Sequence, residues 1–145
     1  MKALVTGASS GVGREFSRQL AALGIDLVLA SRNSEKLETL KAELETAHRI
    51  SADVVPVDLS VQGRGLFLYT ECEKRGHQID ILVNNAGWTT SIDHRDLDAL
   101  TEDVFRKTFE VNVFGTWELT KLAMPYLEAS SDANVVTVTS IAGLR

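Results

Sequence analysis

Short apolar runs alternate with amphipathic segments along the chain. The runs have the length of β-strands, and the segments between them repeat apolar residues at helical spacing. Because strands that alternate with helices form βαβ units with right-handed crossovers, the pattern predicts an α/β fold with a parallel sheet. The predicted strands are residues 3–5, 25–30, 53–59, 79–83 and 134–140.

Two helices are predicted in the first third of the chain. The first begins at Arg14, and Gly24 follows it as a C-terminal cap. The second is capped by Ser34, with Glu35 in its first turn. Each helix is expected to turn one apolar stripe toward the sheet. The stripes are Val12, Phe16, Leu20 and Leu23 in the first helix and Leu37, Leu40, Leu44 and Ala47 in the second.

Two further helices are predicted after the third strand. One lies between residues 60 and 76, and a longer one begins at Thr101 and is limited by Pro125. The long helix is apolar on two sides, so we expect the sheet to cover one side and a second copy of the chain to cover the other. This predicts a homo-oligomer that pairs through residues 101–127. The stripes are Val61, Leu66, Tyr69 and Cys72, then Val104, Val111, Leu119 and Leu122 on one face of the long helix and Phe105, Phe109 and Val113 on the other.

Pro56 determines where the third strand lies. Proline cannot donate a hydrogen bond to a neighbouring strand, so it is confined to a sheet edge. An edge position for this strand gives the order 3-2-1-4-5, which is that of a Rossmann-type doubly wound sheet. In this order the connections reverse between strands 1 and 4, and a ligand crevice is predicted at their carboxyl ends.

A glycine-rich stretch, Thr6-Gly7-Ala8-Ser9-Ser10-Gly11-Val12-Gly13, joins the first strand to the first helix. Gly7 allows a tight turn, while Gly11 and Gly13 lack Cβ atoms and let phosphates and a neighbouring strand approach. Free N–H groups at the start of the helix favour an anion, most simply a dinucleotide pyrophosphate. Taken without its flanking strand and helix, the stretch is equally consistent with a simple turn.

Composition and charge limit the kinds of molecule that the protein is expected to bind. A chain of 145 residues suits one domain, and its net charge of -5 and pI near 5.2 argue against a nucleic-acid surface. No signal peptide is recognised, and no apolar run approaches the roughly 20 residues that span a bilayer. Cys72 is the only cysteine, which fits a reducing compartment. We expect a cytoplasmic protein that binds small molecules or copies of itself, with no membrane, nucleic-acid or metal site.

Five motifs, in order along residues 1–145, resemble the N-terminal part of the short-chain dehydrogenase/reductase (SDR) family. The resemblance implies one nucleotide-binding domain and hydride transfer between a nicotinamide cofactor and a small carbonyl or alcohol substrate. The motifs are T-G-A-S-S-G-V-G at 6–13, the acid of Val57-Asp58-Leu59, N-N-A-G at 84–87, Asn112 in Val111-Asn112-Val113, and Ser140 in V-T-S-I-A-G at 138–143.

Ser31 and Arg32 decide which cofactor is predicted. An NAD-preferring protein places a carboxylate at the position of Ser31, against the ribose 2′-hydroxyl. Without that carboxylate, and with a guanidinium able to bind a phosphate through two hydrogen bonds, NADP(H) is predicted over NAD(H). The alternative is an exposed arginine without a ligand.

The resemblance assigns further contacts to the same cofactor. It implies that Ser9 contacts the 2′-phosphate, that Asp58 accepts from the adenine amino group, and that the backbone of residues 85–87 follows the adenine ribose. A turn or capping role is the alternative for Asp58. The predicted cofactor residues are Gly7, Ser9, Ser10, Gly11, Val12, Gly13, Ser31, Arg32, Asp58, Leu59, Asn85, Ala86 and Gly87.

Ser140 and Asn112 are the predicted catalytic residues. The resemblance implies that Ser140 hydrogen-bonds the substrate carbonyl or hydroxyl and that Asn112 holds a water in a proton relay. A strand terminus and a satisfied amide are the respective alternatives.

The family's acid/base motif, Y-x-x-x-K, does not occur in this sequence. Tyr69 and Tyr126 are the only tyrosines, and the residues four positions later are Glu73 and Ser130. Family spacing places the motif beyond Arg145, so the chain is interpreted as a truncated, N-terminal portion of such an enzyme.

Three functions are therefore compatible with the sequence. The preferred one is an NADP(H)-dependent oxidoreductase represented by its N-terminal part. The alternatives are a short, non-catalytic nucleotide-binding protein and an interaction fragment that is completed by a partner.

Overall fold

The computed structural model describes residues 1–93 and 95–141, and within them one parallel sheet has the order β3-β2-β1-β4-β5. The predicted Rossmann-type order is confirmed, and Pro56 ends the edge strand. The strands are shorter than predicted at positions 57–59, 79–80 and 138–140. They are β1 (Lys2–Thr6), β2 (Asp26–Ser31), β3 (Ala52–Pro56), β4 (Ile81–Asn84) and β5 (Asn134–Thr137).

Helices cover both faces of the sheet. On one face lies a long helical stretch, residues 102–129. A π-helical segment, Glu110–Gly115, interrupts this stretch. Such a segment widens the helix by one residue per turn and often lies at a functional site. The helices are α1 (Gly11–Ala22), α2 (Ser34–Ala47), α3 (Arg64–Lys74), α4 (Glu102–Phe109) and α5 (Thr116–Ala129), with a 3-10 turn at Leu97–Ala99.

Two apolar clusters form the core, one on each face of the sheet. Ala3 and Val5 of β1 point to the cluster beneath α1 and α2, and Leu4 points to the cluster beneath α3 and α5. This alternation follows from the two-residue period of a strand. Burial on both faces explains why β1 and β2 are continuous apolar runs.

The apolar stripe predicted for α1 is only partly right, because Phe16 and Leu20 are partly buried and pack against the core, whereas its other two residues are exposed. Val12 and Leu23 are 55% and 76% exposed, and the buried face consists of Gly13, Ser17 and Ala21. Small residues let the helix backbone approach the sheet closely. The buried hydroxyl of Ser17 is hydrogen-bonded there, because it donates to the Gly13 carbonyl at 2.9 Å. The helix also begins at Gly11 rather than at Arg14.

The predicted cap of α2 shifts by one residue. Asn33, not Ser34, is the N-cap, and its Oδ1 accepts from the Lys36 N–H at 2.8 Å. The leucines of the predicted stripe are buried, whereas Ala47 is exposed.

The stripe predicted for α3 is also only partly right. Cys72 is buried as expected, but Val61 and Leu66 are each 49% exposed. Gly65 lies on the buried face because α5 packs against it. The carboxylate of Glu118 accepts from the Leu66 N–H at 3.1 Å.

The long helical stretch has the two apolar faces that were predicted. Val111 and Leu119 are buried, whereas Phe105, Phe109 and Val113 are 52%, 42% and 46% exposed. Pro125 does not end α5, which continues to Ala129. Within residues 1–93 and 95–141, no helix combines the length and the apolar character needed to cross a bilayer.

Candidate functional site

Thr6, the last residue of β1, connects two turns at the carboxyl edge of the sheet. Its buried hydroxyl donates to the Val83 carbonyl at 3.2 Å and accepts from the backbone N–H groups of Asn85 and Ala86, each at 3.0 Å. One hydroxyl therefore fixes the start of the N-N-A-G turn against the strand that leads into the glycine-rich turn.

Asn85 makes the reverse connection. Its Nδ2 donates to the carbonyls of Thr6 and Gly7, at 3.0 and 3.3 Å. Gly13 lies against the same group, and a Cβ there would meet the Gly7 carbonyl oxygen at 2.5 Å. Gly7 itself has a φ of +66°, a conformation that glycine adopts without strain. The two turns are thus packed backbone to backbone, which requires glycine at 7 and 13.

A cleft of about 490 Å³ opens between these turns and the ends of β2 and β3. Most of the predicted cofactor residues line it, and Gly11 and Gly13 are the two that do not. Residues 33, 36, 60 and 107 also line it, although the sequence did not indicate them, and so does Trp88, whose place directly after the N-N-A-G turn suggested either the edge of a cofactor pocket or simple packing. The predicted residues in the lining are Gly7, Ser9, Ser10, Val12, Ser31, Arg32, Asp58, Leu59, Asn85, Ala86 and Gly87.

Asp58 is held as a carboxylate at the cleft wall. Burial raises the pKa of this carboxyl, but hydrogen bonds from the Ser60 backbone and hydroxyl outweigh it and hold the pKa below its usual value. The charges of Arg32 and Lys107 act in the same direction. The Ser60 N–H bond, at 2.9 Å, is the turn role that the sequence left open, and the ionised carboxylate retains further acceptor capacity at the cleft.

The side chain of Asn112 contacts the segment that follows the N-N-A-G turn. Asn112 Oδ1 accepts from the Trp88 N–H, and Asn112 Nδ2 donates to the Trp88 carbonyl, both at 2.8 Å. The amide is exposed rather than buried, and the backbone of Trp88 satisfies it. Lys107 Nζ lies 4.7 Å from the centre of the Trp88 indole ring. The π-helical segment and this tryptophan therefore form one wall of the cleft.

Ser140 does not lie in the cleft lining. It is exposed and follows β5, which ends at Thr137 instead of continuing to Ser140 as predicted. Residues 142–143 of its motif lie outside the described residues.

The two tyrosines lie outside the cleft and hydrogen-bond within the fold. Both hydroxyls donate to Glu73 Oε1, Tyr69 at 2.9 Å and Tyr126 at 3.0 Å, in the contact between α3 and α5. Burial, followed by the bond to Glu73, raises the pKa of Tyr69. Neither tyrosine lines the cleft, so their place and protonation are those of structural residues.

Comparison with known proteins agrees with this geometry. The family model for short chain dehydrogenase matches residues 1–145. The chain belongs to the short chain dehydrogenase family. It is 42% identical to a protein named as ketoacyl reductase 2 of a granaticin polyketide synthase from Streptomyces violaceoruber, over 99% of this chain and 56% of the relative.

Two further members of the family illustrate the range of the likeness. Dehydrogenase/reductase SDR family member 7 from Homo sapiens is 40% identical, over 97% of this chain and 41% of its own length. An alcohol dehydrogenase from the archaeon Thermococcus sibiricus, solved with 5-hydroxy-NADP, superposes with a TM-score of 0.89 at 28% identity, covering 99% of this chain and 60% of that one. The chain spans about half the length of the curated relatives it matches. Membership of this oxidoreductase family does not favour the two alternative functions.

Proposed function

We propose that the chain forms the cofactor-binding part of an NADP(H)-dependent oxidoreductase that interconverts a small carbonyl compound and its alcohol. The observation that carries the cofactor preference is the end of β2. Ser31 and Arg32 line the cleft together, beside Ser9 of the glycine-rich turn. A serine in place of a carboxylate leaves room for a 2′-phosphate, and a guanidinium binds such a phosphate in a planar, bidentate manner.

The residues present fit a dinucleotide. The cleft volume of about 490 Å³ lies within the range of small-molecule sites. A Cβ at Gly11 would meet nothing within 4 Å, so the backbone there is open to a ligand. The Ser31 hydroxyl oxygen is buried and has no hydrogen-bond partner among the described residues. NADPH supplies the transferable hydride when bound.

Each part of the cleft has a proposed task. The N–H groups at the start of α1 hold the pyrophosphate, Arg32 and Ser9 hold the 2′-phosphate, and Asp58 accepts from the adenine amino group. The hydrogen bonds of Thr6 and Asn85 between the two turns keep them rigid, so that cofactor binding requires little reorganisation. For the substrate side we propose Ser140 as a donor to the carbonyl oxygen and Asn112 as the holder of the relay water.

The cofactor preference is tested by titrating the purified chain with NADPH and NADH. We expect tighter binding of NADPH, because each charged hydrogen bond to the 2′-phosphate contributes about 1.5–3 kcal/mol. Arg32→Asp is expected to reverse the preference. Arg49→Asp changes the charge equally on an exposed residue outside the cleft lining and is expected to have no effect on it. Equal affinities of the parent chain for the two cofactors would contradict the assignment.

The catalytic part of the proposal is tested with the 145-residue chain itself. Its sequence contains no Y-x-x-x-K, and a missing general acid lowers a rate by about 10²–10⁴. We therefore expect cofactor binding without measurable reduction of a panel of aldehydes and ketones. Robust turnover of NADPH would show that another residue of the chain donates the proton.

The predicted homo-oligomer remains a proposal as well. Phe105, Phe109 and Phe114 are 52%, 42% and 52% exposed on one side of the long helical stretch, and their rings contact one another. An exposed aromatic patch of this kind favours association. Light scattering of the purified chain is expected to give a mass above that of a monomer, and Phe105→Ser with Phe109→Ser is expected to reduce it. A stable monomer would contradict this part.

A further inference from the structure

Lys36 lines the cleft together with Arg32, four residues earlier in the chain, although the predicted cofactor residues do not include it. It lies in the first turn of α2, where Asn33 Oδ1 accepts its N–H at 2.8 Å. Leu37, the next residue, is completely buried beneath the helix. The cap and the buried leucine together fix the rotation of this turn, so Lys36 starts from a fixed backbone position at the cleft wall.

The chain balances the cations of the cleft only in part, since the Asp58 carboxylate interacts with the charges of Arg32 and Lys107. Within residues 1–93 and 95–141, neither Arg32 nor Lys36 forms an ion pair within 4 Å, whereas Arg14 and Arg18 both pair with Glu43. Asp58 is the one carboxylate in the described lining of the cleft. The unpartnered hydroxyl oxygen of Ser31 lies in the same wall. Three cations, Arg32, Lys36 and Lys107, and one unpartnered hydroxyl thus line the cleft in a chain whose net charge is -5.

We propose that Lys36 is a second specificity-determining cation, which acts with Arg32 to select a 2′-phosphorylated adenine nucleotide. The proposal rests on the NADP(H) site proposed above. A phosphate monoester carries close to two negative charges at neutral pH, so one arginine leaves part of that charge unpaired. Arg32 supplies a planar pair of donors, Lys36 a compact point charge, and Ser31 a neutral donor. The selectivity for the 2′-phosphate is then shared by Arg32, directly after β2, and Lys36, in the first turn of α2.

The experiment compares two probes that differ in the 2′-phosphate, namely 2′,5′-ADP and 5′-AMP, by calorimetric titration. The variants are Arg32→Ala, Lys36→Ala, Lys36→Arg and Lys41→Ala. Lys41 lies on the same helix but outside the cleft lining, so its variant removes an equal charge without touching the site. Circular dichroism and thermal unfolding verify that each variant is folded.

We expect Lys36→Ala to weaken 2′,5′-ADP roughly tenfold, the effect of one charge-assisted hydrogen bond, and to change 5′-AMP by less than twofold. Lys36→Arg is expected to restore most of the binding, and Lys41→Ala to change neither probe. An equal loss for both probes, or no loss for 2′,5′-ADP, would overturn the role of Lys36. Selectivity that depends on Arg32 alone overturns this inference and leaves the proposed function intact, whereas a parent chain that binds both probes equally overturns both.

Discussion

At the amino ends of the strands, ionisable side chains contact one another, whereas at the carboxyl ends polar residues contact backbone and leave charges facing the cleft. Lys2 Nζ donates to His77 Nδ1 at 3.0 Å, and His77 Nε2 lies 3.1 Å from Asp53 Oδ2, close enough for attraction but outside hydrogen-bond geometry. At the other end, Thr6 and Asn85 bind main-chain groups of the two turns.

The two ends differ in whether their polar groups are used within the fold or remain available to a ligand. At the amino ends, Asp80 accepts from the Lys2 N–H and from Ser130 Oγ, each at 2.7 Å, so its oxygens serve β1, β4 and the approach to β5. At the carboxyl ends, the hydrogen bonds position the turns, and Arg32 has no ion-pair partner in the described chain. Both ends are rich in polar residues, and among the described residues the unpaired cation Arg32 and the unpartnered Ser31 hydroxyl lie in the cleft at the carboxyl ends.

The largest effect is expected from Gly13→Ala at the carboxyl end. A Cβ there would meet the Asn85 amide of the N-N-A-G turn and would lie 2.5 Å from the Gly7 carbonyl oxygen, so the start of α1 must move away from both, at a cost of about 3 kcal/mol. Gly11→Ala is the matched control, because its Cβ meets nothing within 4 Å and only the positive φ of +53° costs, about 1 kcal/mol. Denaturant unfolding measures both, and equal losses would contradict the close packing of the turns.

Thr6→Val is expected to be the next largest change. Valine keeps the shape of threonine but removes the acceptor shared by the N–H groups of Asn85 and Ala86, which destabilises the fold by about 2 kcal/mol. Thr6→Ser retains the hydroxyl and is expected to lose less. The free energy of unfolding and the Kd for NADPH are the measurements. A Thr6→Val chain that is as stable as Thr6→Ser would show that the hydroxyl does not hold the turn.

Asp80→Asn tests the amino end. The hydrogen bond from Ser130, and then that from the Lys2 N–H, hold the pKa of the Asp80 carboxyl below its usual value. The ionised form therefore stabilises the fold at neutral pH, and this contribution disappears as the pH falls below about 4. We expect Asp80→Asn to cost about 1 kcal/mol at pH 7 and progressively less as the pH falls below about 4. Asp98→Asn, in an exposed turn, is the control, and a pH-independent loss at Asp80 would contradict this account.

The smallest effect is expected at His77. Burial, and then the charge of Lys2, lower the pKa of this imidazole, while Asp53 opposes the shift and Arg75 adds to it. Below about pH 6.5 the imidazole of the unfolded chain binds a proton more readily than that of the folded chain. The free energy of unfolding therefore has its full value above that pH and decreases below it. His77→Gln is expected to make Tm fall less between pH 7.5 and 5.5. An unchanged slope would show that this histidine does not contribute to the pH dependence.

Several elements could be predicted because their cause is local. Pro56 gave the sheet edge and thereby the strand order, and the leucines of α2 gave its buried face. The glycine-rich stretch and the N-N-A-G turn predicted two sides of one cleft, because the carboxyl ends of adjacent parallel strands meet at one edge. The family resemblance then supplied residue roles that no spacing rule contains, and those roles stay predictions.

Other features depend on contacts between distant segments. The fully buried residues of α1 are a row of small ones, because the helix approaches the sheet closely, and Phe16 and Leu20 pack beside that row only partly buried. Lys107 reaches the cleft only through the packing of the long helical stretch. Nothing in the sequence indicates the π-helical segment, whose extra residue per turn is a matter of how α4 and α5 are joined.

The sequence by itself determined the order of the strands and the cleft at their carboxyl ends, since both follow from local patterns of apolar, glycine and proline residues, and its five motifs indicated the family by resemblance. Only the tertiary structure decided which polar residues remain available there. Arg32 and Lys36 face the cleft while Arg14 and Arg18 are paired with Glu43. In sequence these are equivalent basic residues, and the physical difference between them is whether folding brings a carboxylate within reach.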